Sequence, residues 1–259
     1  MQLGHMNSPF FPLDEEFRFA AGAGFDFLEL TIEPPATPIE ELDAGTILEL
    51  SREHSLPVPV GHNSWYIPYA NPLTSVREAC LPYLEACFDL CRDVGIDRIN
   101  VHTNLSYSSK LLKEVIRAHV EFLTLAAAAA GARDIRLMLE PVGSRYDTFE
   151  TISLILDSVE NLHLHLDLGH ANITEPDGGA ALIARYGPRL LHVHVSDNRG
   201  DDDQHLPLGC GSLELDRILG ALREAGYDGT FTLEIFASDR DYLLMSRDIF
   251  LAAWEKTED

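Results

Sequence analysis

Residues 163–172 read His-Leu-His-Leu-Asp-Leu-Gly-His-Ala-Asn, and no other stretch limits the fold so tightly. His163, His165 and Asp167 fall on one side of an alternating run, while Leu162, Leu164, Leu166 and Leu168 fall on the other. Period-two alternation is the signature of a strand. The leucine side suits a strand packed under helices, so the polar side must look into an enclosed, polar interior. The chain is expected to break at Gly169, leaving Asp167 and His170 three residues apart on a turn. A carboxylate and an imidazole at the carboxyl end of a buried strand are common metal ligands and catalytic groups.

The 259-residue chain can supply such an interior. An α/β barrel typically needs about 250 residues. Candidate strands fall at 2–6, 25–32, 58–62, 98–102, 135–140, 162–167, 190–195 and 230–235, each bounded by Gly, Pro, Asn or Asp. Helical patterns alternate with them at 14–23, 38–54, 74–94, 110–131, 148–159, 178–186, 214–226 and 240–256. Gly95, Gly131 and Gly226 mark helix ends, and Thr74 is the expected N-cap of its helix. No linker or internal repeat divides the chain, which predicts one domain over residues 1–259. Eight strand-then-helix units predict a single (β/α)8 barrel with its site at the carboxyl ends of the strands. An open dinucleotide-binding sheet is disfavoured, since neither GxGxxG nor GxxxxGK[ST] occurs.

Composition narrows the function further. The net charge of −23 opposes phosphate backbones, and no basic stripe offsets it. We read it as a solubility device or an adaptation to a salty cytoplasm. No apolar run approaches the ~20 residues of a membrane span, and the opening MQLGHMNSPFF has no basic n-region. A cytoplasmic protein without membrane contact is expected. Cys80, Cys87 and Cys91 share one helix face, Cys210 sits in a Gly-rich loop, and no CxxC occurs, which predicts reduced thiols.

The strand ends carry the chemistry. In order they supply His62, His102, Glu140, Asp167 with His170 beyond it, then His194, and finally Glu234, with Asp203 and His205 following the seventh strand. A barrel gathers these ends around one pocket. Carboxylates and imidazoles confined there would desolvate and repel one another unless a cation neutralised them. Each residue alone has a plainer reading as a satisfied polar group or cap. Taken as a set, Glu140, Asp167, His194 and Glu234 predict a metal site. His163, His165 and His192 lie deeper and are expected inside the barrel, whereas His54 and His119 are expected on exposed helix faces.

The segments LEP at 139–141, LDLGHAN at 166–172, HVHVSDNRG at 192–200, DQHLPLGCGSLEL at 203–215 and GYDGTFTLEIF at 226–236 resemble the xylose-isomerase-like barrel superfamily. The resemblance runs from GFDFLEL at 24–30 to DYLLMSRD at 241–248. That group holds sugar-phosphate isomerases and epimerases, inosose dehydratases and, as a cousin, the endonuclease IV family. For the isomerase and epimerase members, the resemblance implies a divalent metal on Glu140, Asp167, His194 and Glu234. It further implies proton transfer between Glu140 and Glu234, with His170 holding a substrate hydroxyl. The substrate would be a small sugar, sugar phosphate or polyol-like carbonyl compound.

The endonuclease IV side implies three zinc ions on His62, His102, Glu140, Asp167, His170, His194, Asp203, His205 and Glu234, and hydrolysis at abasic DNA. The acidic chain and the 32–40 loop (IEPPATPIE), which has no basic residue, weigh against a DNA partner. One to three ions of zinc, manganese or cobalt are therefore expected, since mixed imidazole and carboxylate ligation suits all three metals. Trp65, Tyr66 and Tyr69 are the expected aromatic wall of a sugar pocket, or on the DNA side a base-stacking wedge, with Arg145 and Arg199 the nearby cations for an anionic substrate. Two departures stand against a ketohexose epimerase. Gly200 occupies the position of that group's substrate arginine, with Arg199 one residue early, and VGSRYD at 142–147 lacks an obvious counterpart of its second acidic residue. The sequence leaves the oligomeric state open.

Overall fold

In the computed structural model, which describes residues 1–8, 10–105, 111–175 and 177–257, eight parallel strands close into a barrel in sequence order. They are β1 (Gln2–Met6), β2 (Phe27–Ile32), β3 (Val60–Asn63), β4 (Arg98–His102), β5 (Arg136–Glu140), β6 (Leu162–Asp167), β7 (Leu190–Val195) and β8 (Thr230–Leu233). Around them run α1 (Leu13–Gly22), α2 (Ala44–His54), α3 (Thr74–Val94), α4 (Leu112–Gly131), α5 (Phe149–Ser158), α6 (Leu168–Thr174), α7 (Ala180–Tyr186), α8 (Leu215–Glu224) and α9 (Asp241–Lys256). The expected (β/α)8 architecture is thus the observed one.

Strand alternation explains the layering. On β2, Leu28 and Leu30 face outward into the large apolar core shared with the helices, while Phe27 faces inward. Phe27, Val60 and Met138, with the partly buried Leu191, plug the amino end of the barrel. A Cβ on Gly4 would lie 2.2 Å from the Phe27 ring, so glycine there lets that ring cross the barrel. Above this plug the interior turns polar, with Glu29, Asn100, His165, His192 and His194 all fully buried. The register brings His102 level with Glu140 and Asp167 level with His194.

Several local expectations need correction. The chain does not break at Gly169; a short helix, α6, starts at Leu168, and the Asp167 carboxylate caps it by accepting the His170 N–H at 2.7 Å. Thr74 is the first residue of α3, whose N-cap is Leu73. The 38–54 helix is a 3-10 turn (Ile39–Glu41) followed by α2, which Asp43 caps. Lys110, the expected start of α4, lies outside the described residues. His119 is fully buried, because its face of α4 packs on the barrel, and His54 is half-buried beside Phe17. His165 and His192 are interior, but the β6–β7 register shifts at Leu164/His165. Half-buried His163 instead lines a depression with Ala127, Gly131 and Asn161. Cys80, Cys87 and Cys91 are buried free thiols and Cys210 is an exposed one.

Candidate metal centre

Ligand atoms of Glu140, Asp167, His194 and Glu234 all lie within 4.8 Å of one another, and all four side chains are buried. Each arrives by its own route. Glu140 and Asp167 end β5 and β6, and His194 is the penultimate residue of β7. Glu234 follows β8 and extends its ladder, donating its N–H to Val195 O at 3.1 Å. His194 Nδ1 lies 2.8 Å from Glu234 Oε2 and 3.7 Å from both Glu140 Oε1 and Asp167 Oδ2.

Two of the carboxylates, Glu140 and Asp167, are tied back by one oxygen and free at the other. Glu140 Oε2 accepts from Asn100 Nδ2 and faces His165 Nδ1 at 3.2 Å and His102 Nε2 at 3.3 Å. Glu140 Oε1 is buried without a hydrogen-bond partner, and so is Asp167 Oδ2, whose sister oxygen is spent on the α6 cap. An unpaired buried carboxylate oxygen is costly, and two aimed at one point match what a divalent cation would take up. The donor set, three carboxylates and one imidazole, suits such an ion.

Among the described residues four further groups adjoin this one; His165, His192 and His194 form one and Glu29, His62 and His194 another, both sharing His194, and two flank the centre. His62, His102 and Glu140 form one; His170, Asp203 and His205 form the other. Asp203 Oδ2 lies 3.2 Å from His170 Nε2 and 2.9 Å from His205 Nε2. His205 has φ +44°, a left-handed conformation unusual for a non-glycine residue, and its Nδ1 lies 3.1 Å from Glu234 O. The His205 loop is shaped by Asp197. Its carboxylate accepts N–H groups from Asn198, Gly209, Gly211 and Leu213 at 2.8–3.0 Å. A Cβ on Gly211 would sit 2.2 Å from Asn198 O, so only glycine fits that turn.

The electrostatics follow from confinement. Burial opposes charge on Glu140, yet the His165 and His102 imidazoles hold its carboxyl well below the usual range. Burial likewise acts against Glu234, but His194 and His205 pull it down. Asp167 goes the other way, pushed up to about 6 by burial, with the Glu234 and Glu140 charges adding to that. For His194, burial favours the neutral ring, but Glu29 and Glu234 together raise it well above its ordinary value. His205, against the same burial effect, is raised to about 9 by Glu234 and Asp203. The cluster thus demands positive charge, which protonated imidazoles or a metal ion can supply.

Every sequence-predicted ligand therefore reaches the carboxyl-end mouth. Trp65 and Tyr66 also lie on that side, in the loop after β3, their ring centroids 4.3 Å apart at a tilt of 32° and both more than half exposed. Tyr69 is instead fully buried against Phe122, its hydroxyl accepting from Asn63 Nδ2, and lines no open pocket. The two arginines are not drawn into the cluster. Arg145 is exposed and donates to Tyr146 Oη at 2.6 Å, and Arg199 is exposed on the loop after β7. Two participants escaped the sequence reading. Asn100 lies on β4 beneath His102, and Glu29 lies on β2 beneath His194. The alternation of Phe27-Leu28-Glu29-Leu30 carries the signal that Glu29 points inward.

The model of the xylose isomerase-like TIM barrel family matches residues 17–253. The chain is 24% identical over 235 residues to L-ribulose-5-phosphate 3-epimerase UlaE of Shigella flexneri, covering 86% of this chain and 82% of that protein. A shorter match, 38% identical over 76 residues, reaches the uncharacterized protein MJ1311 of Methanocaldococcus jannaschii, covering 29% of this chain and 26% of that protein. Among solved structures, a D-tagatose 3-epimerase-like protein superposes with TM-score 0.87 at 22% identity, covering 100% of this chain and 98% of the other. The IOLI protein with a bound zinc atom gives TM-score 0.81 at 18% identity, covering 100% and 96%. With its barrel closed in sequence order and the family pattern spanning nearly all of it, the chain belongs to the xylose isomerase-like TIM barrel family.

Proposed function

We propose that this protein is a divalent-metal-dependent epimerase or isomerase of a small sugar-like carbonyl compound. The observation that carries the reading is the buried convergence of Glu140, Asp167, His194 and Glu234, with Glu140 Oε1 and Asp167 Oδ2 lacking partners. Those four side chains would hold the ion. When bound, it would polarise the substrate carbonyl and acidify the neighbouring carbon-bound proton. Similarity to a ribulose-phosphate epimerase over most of the chain supports the reaction class, and the zinc-bound relative of the same fold supports zinc among the candidate ions.

The chain's own groups divide the remaining work. Glu140 and Glu234 come from strands separated by β6 and β7, and both carboxyls are held ionised by neighbouring imidazoles. One would remove the proton from carbon and the other return it, the pattern that inverts a centre when the two act from opposite sides. His170, fixed through Asp203, would hold a substrate hydroxyl. Trp65 and Tyr66 present aromatic faces suited to the apolar face of a sugar ring. Arg145 and Arg199 would serve an anionic substrate from the exposed loops. Among the described residues no helix is long and apolar enough to cross a membrane.

The flanking groups favour one second reading: three ions and phosphodiester hydrolysis at abasic DNA. Metal analysis combined with two assays separates the two. Carbon-bound deuterium entering a ketose from heavy water, with one dominant ion, supports the epimerase. Three ions with cleavage of abasic DNA and no exchange replaces it.

A further inference from the structure

One carboxylate lies beneath the metal centre instead of within it. Glu29 is fully buried on β2, its Oε1 3.0 Å from His194 Nε2 and its Oε2 2.9 Å from His192 Nε2. Two imidazoles from the same strand thus point at one carboxylate from across the barrel. His192 is braced on its other nitrogen, with Nδ1 2.8 Å from Thr230 Oγ1. His62 Nδ1 lies 3.6 Å from Glu29 Oε1, close enough to feel its charge without a hydrogen bond.

We infer that Glu29 is a positioning residue that fixes the His194 tautomer and so sets how tightly the mouth holds its metal; this rests on the metal reading above. An ionised carboxylate offers only acceptors, so each imidazole must turn an N–H toward it. For His194 that N–H is at Nε2, so when a cation displaces the Nδ1 proton shared with Glu234, the remaining proton stays on Nε2 against Glu29. Nδ1 is the nitrogen 2.8 Å from Glu234 and 3.7 Å from Glu140 and Asp167, where its lone pair is needed for a cation. A carboxylate behind a ligating imidazole also strengthens that imidazole as a ligand.

The geometry distinguishes two substitutions. Glutamine keeps one acceptor oxygen but turns its amide into a donor, so one imidazole must reverse. His192 can do so, because the Thr230 hydroxyl on its far side can donate or accept. His194 then keeps its Nε2–H bond and loses only the charge behind it. Leucine removes the acceptor at Nε2, and the proton of the neutral His194 ring then sits on Nδ1 against Glu234, where it competes with a cation.

The test is zinc affinity of the full chain by chelator competition, alongside nitrogen-15 shifts of the histidine rings in the metal-free and zinc-loaded protein. Expected are a loss of about tenfold for Glu29→Gln and about a hundredfold for Glu29→Leu. The His194 ring should carry its proton on Nε2 in zinc-loaded wild type and on Nδ1, against Glu234, in metal-free Glu29→Leu. If Glu29→Leu does not fold, Glu29→Gln carries the test alone. Zinc affinity of the tested variant within threefold of wild type, or an Nδ1–H tautomer in the zinc-loaded wild type, overturns the assignment of Glu29. A wild-type protein that binds no zinc, manganese or cobalt instead overturns the metal reading on which it rests.

Discussion

At the amino end of the barrel interior, Phe27, Val60 and Met138 fill the space with apolar surface and leave no polar atom to satisfy. Toward the carboxyl end, β2, β5, β6 and β7 and the residue after β8 present Glu29, Glu140, Asp167, His194 and Glu234, with two carboxylate oxygens unpaired. The outer faces of these strands are apolar at both ends, so the contrast is confined to the inside. An apolar plug is stabilised by packing alone. A buried array of acids and imidazoles is destabilising until something completes it, so it marks where the fold gives up stability for chemistry. Stability and activity should accordingly separate along the barrel axis.

The largest expected effect lies at the mouth. Glu140→Gln and Glu234→Gln should each cut solvent-deuterium exchange into substrate by about a thousandfold, as loss of a general base does. Asp167→Asn and Glu140→Gln should also lower the metal content of the purified protein; unchanged content by elemental analysis would remove those residues from the ligand set. At the plug the expectation reverses. Met138→Ala should cost about 3 kcal/mol of stability in urea titrations through the cavity it opens, while turnover of the folded fraction stays within a few-fold. A collapse of turnover without loss of stability would erase the division between the two ends.

A third prediction concerns the helical shell, which is apolar except for isolated polar residues such as His119. Burial pushes the His119 pKa down to about 4. An unfolded histidine titrates near 6.5, so between these values the unfolded chain binds a proton that the folded chain refuses. Stability is therefore lost as pH falls through this window, by about 2 kcal/mol on reaching pH 5. His119→Leu should flatten that acid limb, measured as urea midpoints at pH 7 and pH 5; a limb unchanged in the variant would assign it to other groups. The smallest effect belongs to the exposed rim. Trp65→Ala should raise KM about fivefold with kcat nearly unchanged, the signature of lost uniform binding.

Legibility differed between these regions for physical reasons. Alternation at β6 and β7 exposed the polar interior, because a strand's period of two is a local property of the backbone. The strand-end residues named themselves by type: Glu140 before a proline, Asp167 and His170 around a glycine, His194 in a run of alternate histidines. His119 misled because one polar residue on a helix does not reveal which face is buried, and α4 packs that face on the barrel. Arg145 and Arg199 were within reach by sequence, yet Arg145 engages the adjacent tyrosine and Arg199 remains out on its loop. Asn100 and Glu29 were missed since each sits one layer below the rim, where the residue's partner lies on a different strand.

The amino-acid order alone determined that the chain would close into a barrel and that acids and imidazoles would gather at one mouth. Both follow from strand-and-helix periodicity and from the rule that strand ends share a face. Only the tertiary structure decided which oxygen of Glu140 and of Asp167 is tied and which is free, and that Glu29 stands behind His194. Those outcomes depend on how neighbouring strands are staggered when the sheet closes, and that stagger is a property of the whole ring that no single strand's sequence encodes.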